Sequence, residues 1–332
     1  MPHGLEKTAD RRDRTRRGNQ LLCLCRTHRL IKVDIIVLGA GAGGGFPQWN
    51  CNSSASRRAR SGDPAAQPRT QASIAVSGDG RHWHVFNASP DLRQQIQMAS
   101  ALHPREGLRS SPISSVVLTG GDVDVIAGLL TLRERQVFAL HATSAVHAIL
   151  SANPIFNVLA PGIVDRRTIV LDQPFALDDT LEATLFAVPG KVPLYMEDGD
   201  RMQAILSDGT TVGAEVRGGG CRMIFIPGCA MMTNDLRSRL DGADLVFFDG
   251  TLWDDEEMIR VGLGSKTGRR MGHMSMSGAD GTMASLNDLA IPRRVAIHIN
   301  NSNPVLLADS PERAQAEQAG WIIAEDGMRF TI

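Results

Sequence analysis

A layered α/β domain is what this sequence predicts, and three observations predict it. Short buried-strand runs recur from IIVLGA near the start to VAIHINN near the end, helical segments lie between them, and polar residues gather just past the strand ends. The chain has 332 residues, 42% apolar and 21% charged, enough to bury a sizeable core as one large domain or two small ones. Its 35 basic and 36 acidic residues nearly cancel, so no global charge draws it to nucleic acid or to an anionic membrane surface. No apolar run approaches the roughly 20 residues that span a bilayer, and membrane insertion is not expected. The cysteines at positions 23, 25, 51, 221 and 229 are odd in number and scattered, which fits a reducing cytoplasm better than a disulfide framework.

The elements follow in order. Residues 1–32 are arginine-rich around a short LLCLC core, too short for an export signal, and no small-residue cleavage site follows. They read as an N-terminal extension, disordered or preceding a true start at Val33, with a single domain over 33–332. IIVLGA is a buried strand, and QASIAVS and HWHVFNA form a hairpin around Gly78, Asp79 and Gly80. SPDLRQQIQMASAL opens a helix with Ser89 as N-cap and Pro90 in the first turn. SSVVLT is a strand ending in the turn GGDVD, and a helix is expected over 126–135. VFALHAT is a strand and SAVHAILSAN a helix stopped at Pro154. Short strands follow, TLEATLFAVPG and RMQAILSDG being the clearest, and CRMIFIPG, ADLVFFDG and VAIHINNSNP supply three more buried strands.

Gly39, Gly41 and Gly44 satisfy GxGxxG after a strand, but Phe46-Pro47-Gln48-Trp49 follows where a nucleotide fold needs a helix, so a tight turn near a site is expected and no nucleotide. His82 and His84 could share one strand face and bind metal, yet no third ligand follows them; like His141 and His147 they read as surface or core histidines. Asp122 and Asp124 lie in a strand-to-helix turn, where they can serve as cap and first-turn acid or as ligands. Asp249 and His298 each emerge at a strand end, and His273 sits in a loop between them. Taken together, these groups have the oxygen and imidazole donors that a metal site needs.

The strings GAGAGGGFPQWNC, NASPDLRQQI, KTGRRMGHMS and IHINNSNPVL resemble the pyrroloquinoline quinone (PQQ) biosynthesis protein B family, over essentially all of the chain beyond Val33. The resemblance implies a metallo-β-lactamase αββα sandwich with a metal site at one edge of the two sheets. In that superfamily an HxHxDH loop follows a strand; here it falls on Gly120, Asp122, Asp124 and Val125, with a valine at the last histidine position. The middle histidine is replaced near Lys191, whereas Asp249 matches the bridging aspartate, His298 the terminal metal histidine and His273 a proton-transfer histidine. The expected metal ligands are therefore Asp122, Asp124, Asp249 and His298, with His273 and Asp124 catalytic. Arg269, Arg270, Asn300 and Asn301 are expected at the substrate. Family members often carry CNCxxC after PQWN for a structural zinc; this chain reads Cys51-Asn52-Ser53-Ser54-Ala55-Ser56, so Cys51 is a remnant and no structural zinc is expected.

The implied function is PQQ synthesis through iron-dependent, oxygen-dependent hydroxylation of the tyrosine ring of a glutamate-tyrosine precursor, with iron(II) or another divalent metal as cofactor. A non-catalytic carrier of PQQ or its precursor toward the periplasm is the alternative, and a metal-dependent hydrolase the second. Expected partners are the precursor, other PQQ synthesis proteins and a second copy of the chain in a homodimer.

Overall fold

The structure is a computed structural model and describes residues 32–196, 205 and 207–332. All but Lys32 of the expected N-terminal extension lies outside these residues, as does most of RMQAILSDG. Among the described residues, two sheets of seven strands each carry the fold. The first contains β1 (Asp34–Gly39), β2 (Ser73–Ser77), β3 (Trp83–Phe86), β4 (Ile113–Val117), β5 (Phe138–Ala142) and β6 (Val164–Thr168). The second contains β7 (Pro174–Ala176), β8 (Glu182–Ala187), β9 (Val212–Gly218), β10 (Cys221–Ile226), β11 (Leu245–Asp249), β12 (Arg294–Ile297) and β13 (Trp321–Ile323), while β14 (Arg329–Thr331) returns to the edge of the first beside β1. Strands β3 to β6 run parallel, as do β10 to β13.

Alternation along these strands builds three cores. Ile35 and Val37 face Phe225 and Phe247 between the sheets, with Phe86, Val117 and Val295. Ile36 and Leu38 turn the other way and meet Leu92, Leu129 and Leu150 beneath helical segments. Ile224, Ile226, Val246 and Phe248 do the same on the second sheet against Leu236, Leu240 and Ala316. Helix, sheet, sheet, helix is therefore the layer order, and the αββα sandwich implied by the resemblance is the architecture of this chain.

Two helices depart from expectation. The helix after β3 runs Leu92–Met98, and neither Ser89 nor Asp91 caps it through its side chain. Ser89 is buried and bonds Gln95 Oε1, while the Asp91 carboxylate accepts from both nitrogens of Gln71 at 2.9 Å. The helix expected over 126–135 is one α-turn, Val123–Ile126, followed by a 3₁₀ stretch, Ala127–Leu132. Here the ladder is diverted. The Val125 carbonyl accepts from Ala88 N and Gly128 N donates to Ala88 O, so groups that would close an α-helix are tied to the neighbouring loop.

The strand ends converge at one edge of the sandwich. Ala42 N donates to Ile299 O at 2.8 Å and Ile299 N to Ala40 O at 2.9 Å, stitching the loop after β1 to the loop after β12. Val212 N donates to Thr119 O, joining the end of β4 to the start of β9. Gly44 and Gly45 have φ of +89° and +66°, a turn that side chains resist, and no helix follows directly.

Candidate metal centre

A cavity of about 700 Å³ opens at this edge. Its wall includes the glycine loop at Ala42 to Gly44, the β4 loop from Gly120 to Val125, and Lys191, Thr251, Lys266, His273, His298 and Asn300. Asp249 is fully buried at the end of β11, behind that wall.

Asp249, His273 and His298 each offer one ligand atom, and these atoms lie within 4.8 Å of one another. His273 Nδ1 is 2.7 Å from Asp249 Oδ2, and the two imidazoles stack with centroids 5.2 Å apart. His298 Nε2 is 3.0 Å from Asp124 Oδ2, which brings a second carboxylate to the group. The backbone pays particular attention to His298, whose φ of +59° is left-handed and costs a non-glycine residue on the order of 1–2 kcal/mol. Such strain is held by its surroundings: Ile299 N donates to Ala40 O, Asn300 N donates to Thr251 O, and the Thr251 hydroxyl meets His298 Nδ1.

Thr251 was not singled out in the sequence, although it stands two residues after Asp249 in the string DGT. Its hydroxyl lies 2.6 Å from Asp249 Oδ1, 2.8 Å from His298 Nδ1 and 3.1 Å from His273 Nδ1. With its proton on the carboxylate, its lone pairs can accept from the ring N–H groups. Burial alone would push the Asp249 carboxyl up, but His273 and His298 outweigh it and hold the group below the usual carboxylate range. The same holds for Asp124, where burial is overcome by the His298 hydrogen bond. Burial would lower His298, yet Asp124 foremost and Asp249 raise it, since both ring nitrogens then have acceptors.

One carboxylate and two imidazoles with an open cavity beside them suit a divalent metal, and Asp124 can orient or complete the set. Asp122 lines the cavity but stands outside the three-residue group, and His273, which the resemblance matches to a proton-transfer histidine, stands inside it. Val125, which the resemblance matches to a histidine position, lines the cavity and packs against the helical core. Among the described residues, Lys191 and Lys266 supply the cations of the cavity wall, while Arg269 and Arg270 lie outside it. Arg269 is exposed, with its N–H on Asp255. Asn300 is in the wall; Asn301 is buried away from it and accepts from Gln48 N and the Ser56 hydroxyl, holding the loop after β1. Cys51 is buried, and although burial would raise its thiol, Ser53 and Ser56 lower it to about 7.

The other histidines take structural places. His82 is exposed and bonds Asp79 at 2.7 Å, whereas His84 is buried between Ser115 and Asp178. His141 is buried against Phe175 with a pKa that burial lowers to about 4, and His147 bonds the Arg167 carbonyl. The glycine loop is part of the cavity wall, where a Cβ on Gly43 would stand 3.8 Å from the Asp124 carboxyl carbon.

Comparison with known proteins adds to this geometry. The beta-lactamase superfamily domain matches residues 82–299. Coenzyme PQQ synthesis protein B of Gluconacetobacter diazotrophicus is 63% identical over 305 residues, covering 90% of this chain and 99% of that protein. Its namesake in Methylorubrum populi is 54% identical over 300 residues, covering 90% and 100%. Among solved structures, the crystal structure of Zn(2+)-bound PqqB from Methylobacterium extorquens superposes with a TM-score of 0.88 at 54% identity, covering 90% of this chain and 99% of that one. A diphosphatase of the PhnP family shares the fold, with a TM-score of 0.64 at 18% identity over 91% of this chain and 97% of its own.

Proposed function

The chain belongs to the coenzyme PQQ synthesis protein B family, and from that premise we propose that it oxidises the ring of a PQQ precursor at a divalent metal held by Asp249, His273 and His298. Its role in PQQ biosynthesis follows from the family. The observation that carries the finer reading is the meeting of those three ligand atoms beside a cavity large enough for a tricyclic quinone. Iron(II), when bound by two imidazoles and a carboxylate, supplies the one-electron chemistry through which dioxygen reacts with an aromatic ring. The remaining work belongs to the chain. Lys191 and Lys266 suit the carboxylates of the precursor, the β4 loop and the glycine loop wall the cavity, and Asp124 keeps His298 in place. Asp122, at the cavity wall, is a candidate for taking up a substrate proton.

This reading places the reaction in the cytoplasm beside the other PQQ synthesis proteins, and a homodimer is the assembly to look for. Among the described residues no helix is long and apolar enough to cross a membrane. Val125 and Lys191, at positions where the superfamily pattern has imidazoles, favour a second reading, a carrier that holds the precursor without changing it. Incubating the anaerobically iron-loaded chain with a glutamate-tyrosine precursor and ascorbate, whose two electrons reduce the second oxygen atom to water, and then admitting dioxygen separates the two. Mass spectrometry showing one added oxygen supports oxidation; an unchanged but tightly bound precursor overturns it in favour of the carrier.

A further inference from the structure

Glu257 is a buried carboxylate that the proposed chemistry leaves unused. It starts the short helix Glu257–Arg260, and it is 3% exposed. Its Oε2 accepts from Trp253 N at 2.6 Å, and its Oε1 accepts from the Ser302 hydroxyl. Ser302 Oγ in turn lies 2.6 Å from Asn300 Nδ2, and Asn300 is part of the cavity wall. The three side chains therefore form a line from the interior to the cavity.

The chemistry of each group fixes the direction of that line. Once ionised, above its raised pKa of about 7, the Glu257 carboxylate only accepts, so the Ser302 proton points at Glu257. The Ser302 lone pairs are then what Asn300 meets, so Asn300 must offer its amide N–H to them. Its Nδ2 is thus turned inward and its carbonyl Oδ1 is left toward the cavity. The backbone holds the same residue from the other side, Asn300 N donating to Thr251 O at 3.0 Å.

We propose that Glu257, acting through Ser302, is a positioning residue that makes Asn300 present a hydrogen-bond acceptor to the ligand, so that this wall selects an N–H or O–H donor. The inference rests on the reading of the cavity as the precursor site. Replacing Glu257 by glutamine should reverse the line. Trp253 N is a fixed donor and claims the new carbonyl oxygen, so the new amide N–H faces Ser302, whose proton swings to Asn300 Oδ1. Asn300 would then show the ligand a donor.

The test uses the full chain loaded with zinc, with PQQ, which carries a pyrrole N–H, as the probe in calorimetry at pH 8. At that pH Glu257, pushed up to about 7 by burial, is ionised. The expected results are PQQ affinity about tenfold weaker in Glu257→Gln, several-fold weaker in Ser302→Ala, and restored in Ser302→Thr, with zinc content unchanged in all three. Equal affinities in native chain and variants overturn this inference alone. Loss of zinc together with PQQ affinity also overturns it, because the residues would then support the metal group and not Asn300. If the native chain does not bind PQQ, the precursor-site reading fails and this inference falls with it.

Discussion

The Thr251 hydroxyl reaches Asp249, His273 and His298 at once, which makes it a sensitive single probe of the centre. Thr251→Val keeps the shape and removes the hydroxyl, leaving Asp249 Oδ1 with the Thr251 N–H as its remaining partner of this pair. Metal-free chain should lose about 1–3 kcal/mol in urea unfolding, and metal affinity should fall. A cost near zero would mean that the hydroxyl does not hold the carboxylate. Val125→His should place an imidazole beside Asp124 and raise zinc or iron affinity in calorimetry; unchanged affinity would show that the position does not reach the centre. Glu257 gives a pH signature. Its folded pKa is raised, from 4.5 to about 7, so the stability it contributes as a neutral acid is full below about pH 4.5 and is lost as pH rises through about 7. Glu257→Gln should therefore gain on the native chain across that window, by about 3 kcal/mol at most, from roughly 1.36 kcal/mol per pH unit. Parallel stability curves from pH 4 to 8 would contradict the buried ionisation.

At the scale of elements, close backbone approaches decide what a pattern can form. A Cβ on Gly128 would stand 2.0 Å from Ser89 O and 2.7 Å from Ala88 O, both backbone atoms that cannot step aside. Gly128→Ala should cost about 1–3 kcal/mol, read from the thermal midpoint, and a neutral effect would show that the 3₁₀ stretch can shift away. That contact also explains what the sequence left illegible. Apolar period marked the strands well, because each strand is buried on a defined face: IIVLGA, CRMIFIPG, ADLVFFDG and VAIHINN all appear where expected. The helical stretch after Asp124 has the right composition, but hydrogen bonds to Ala88 divert its ladder, and nothing local announces a tertiary bond. Asp249 and His298 were legible as polar residues at the ends of apolar runs. The substrate assignment to Arg269 and Arg270 rested on charge alone; the fold puts Lys191 and Lys266 in the wall, and Thr251 and Glu257 act through hydrogen bonds with partners far along the chain.

For the whole molecule, function depends on bringing the ends of β1, β4, β11 and β12 to one edge, so that groups 174 residues apart, such as Asp124 and His298, come within 3.0 Å. A bacterium lacking its own member of this family should regain PQQ in its culture medium when given the native gene and not when given His298→Ala. The central claim, that Asp249, His273 and His298 form a metal centre, is tested most directly by metal analysis after anaerobic loading with iron(II), native chain and His298→Ala side by side. The expected result is about one iron per native chain and little in the variant, with both equally folded by circular dichroism. Equal iron in the two, or none in the native chain, would contradict the account.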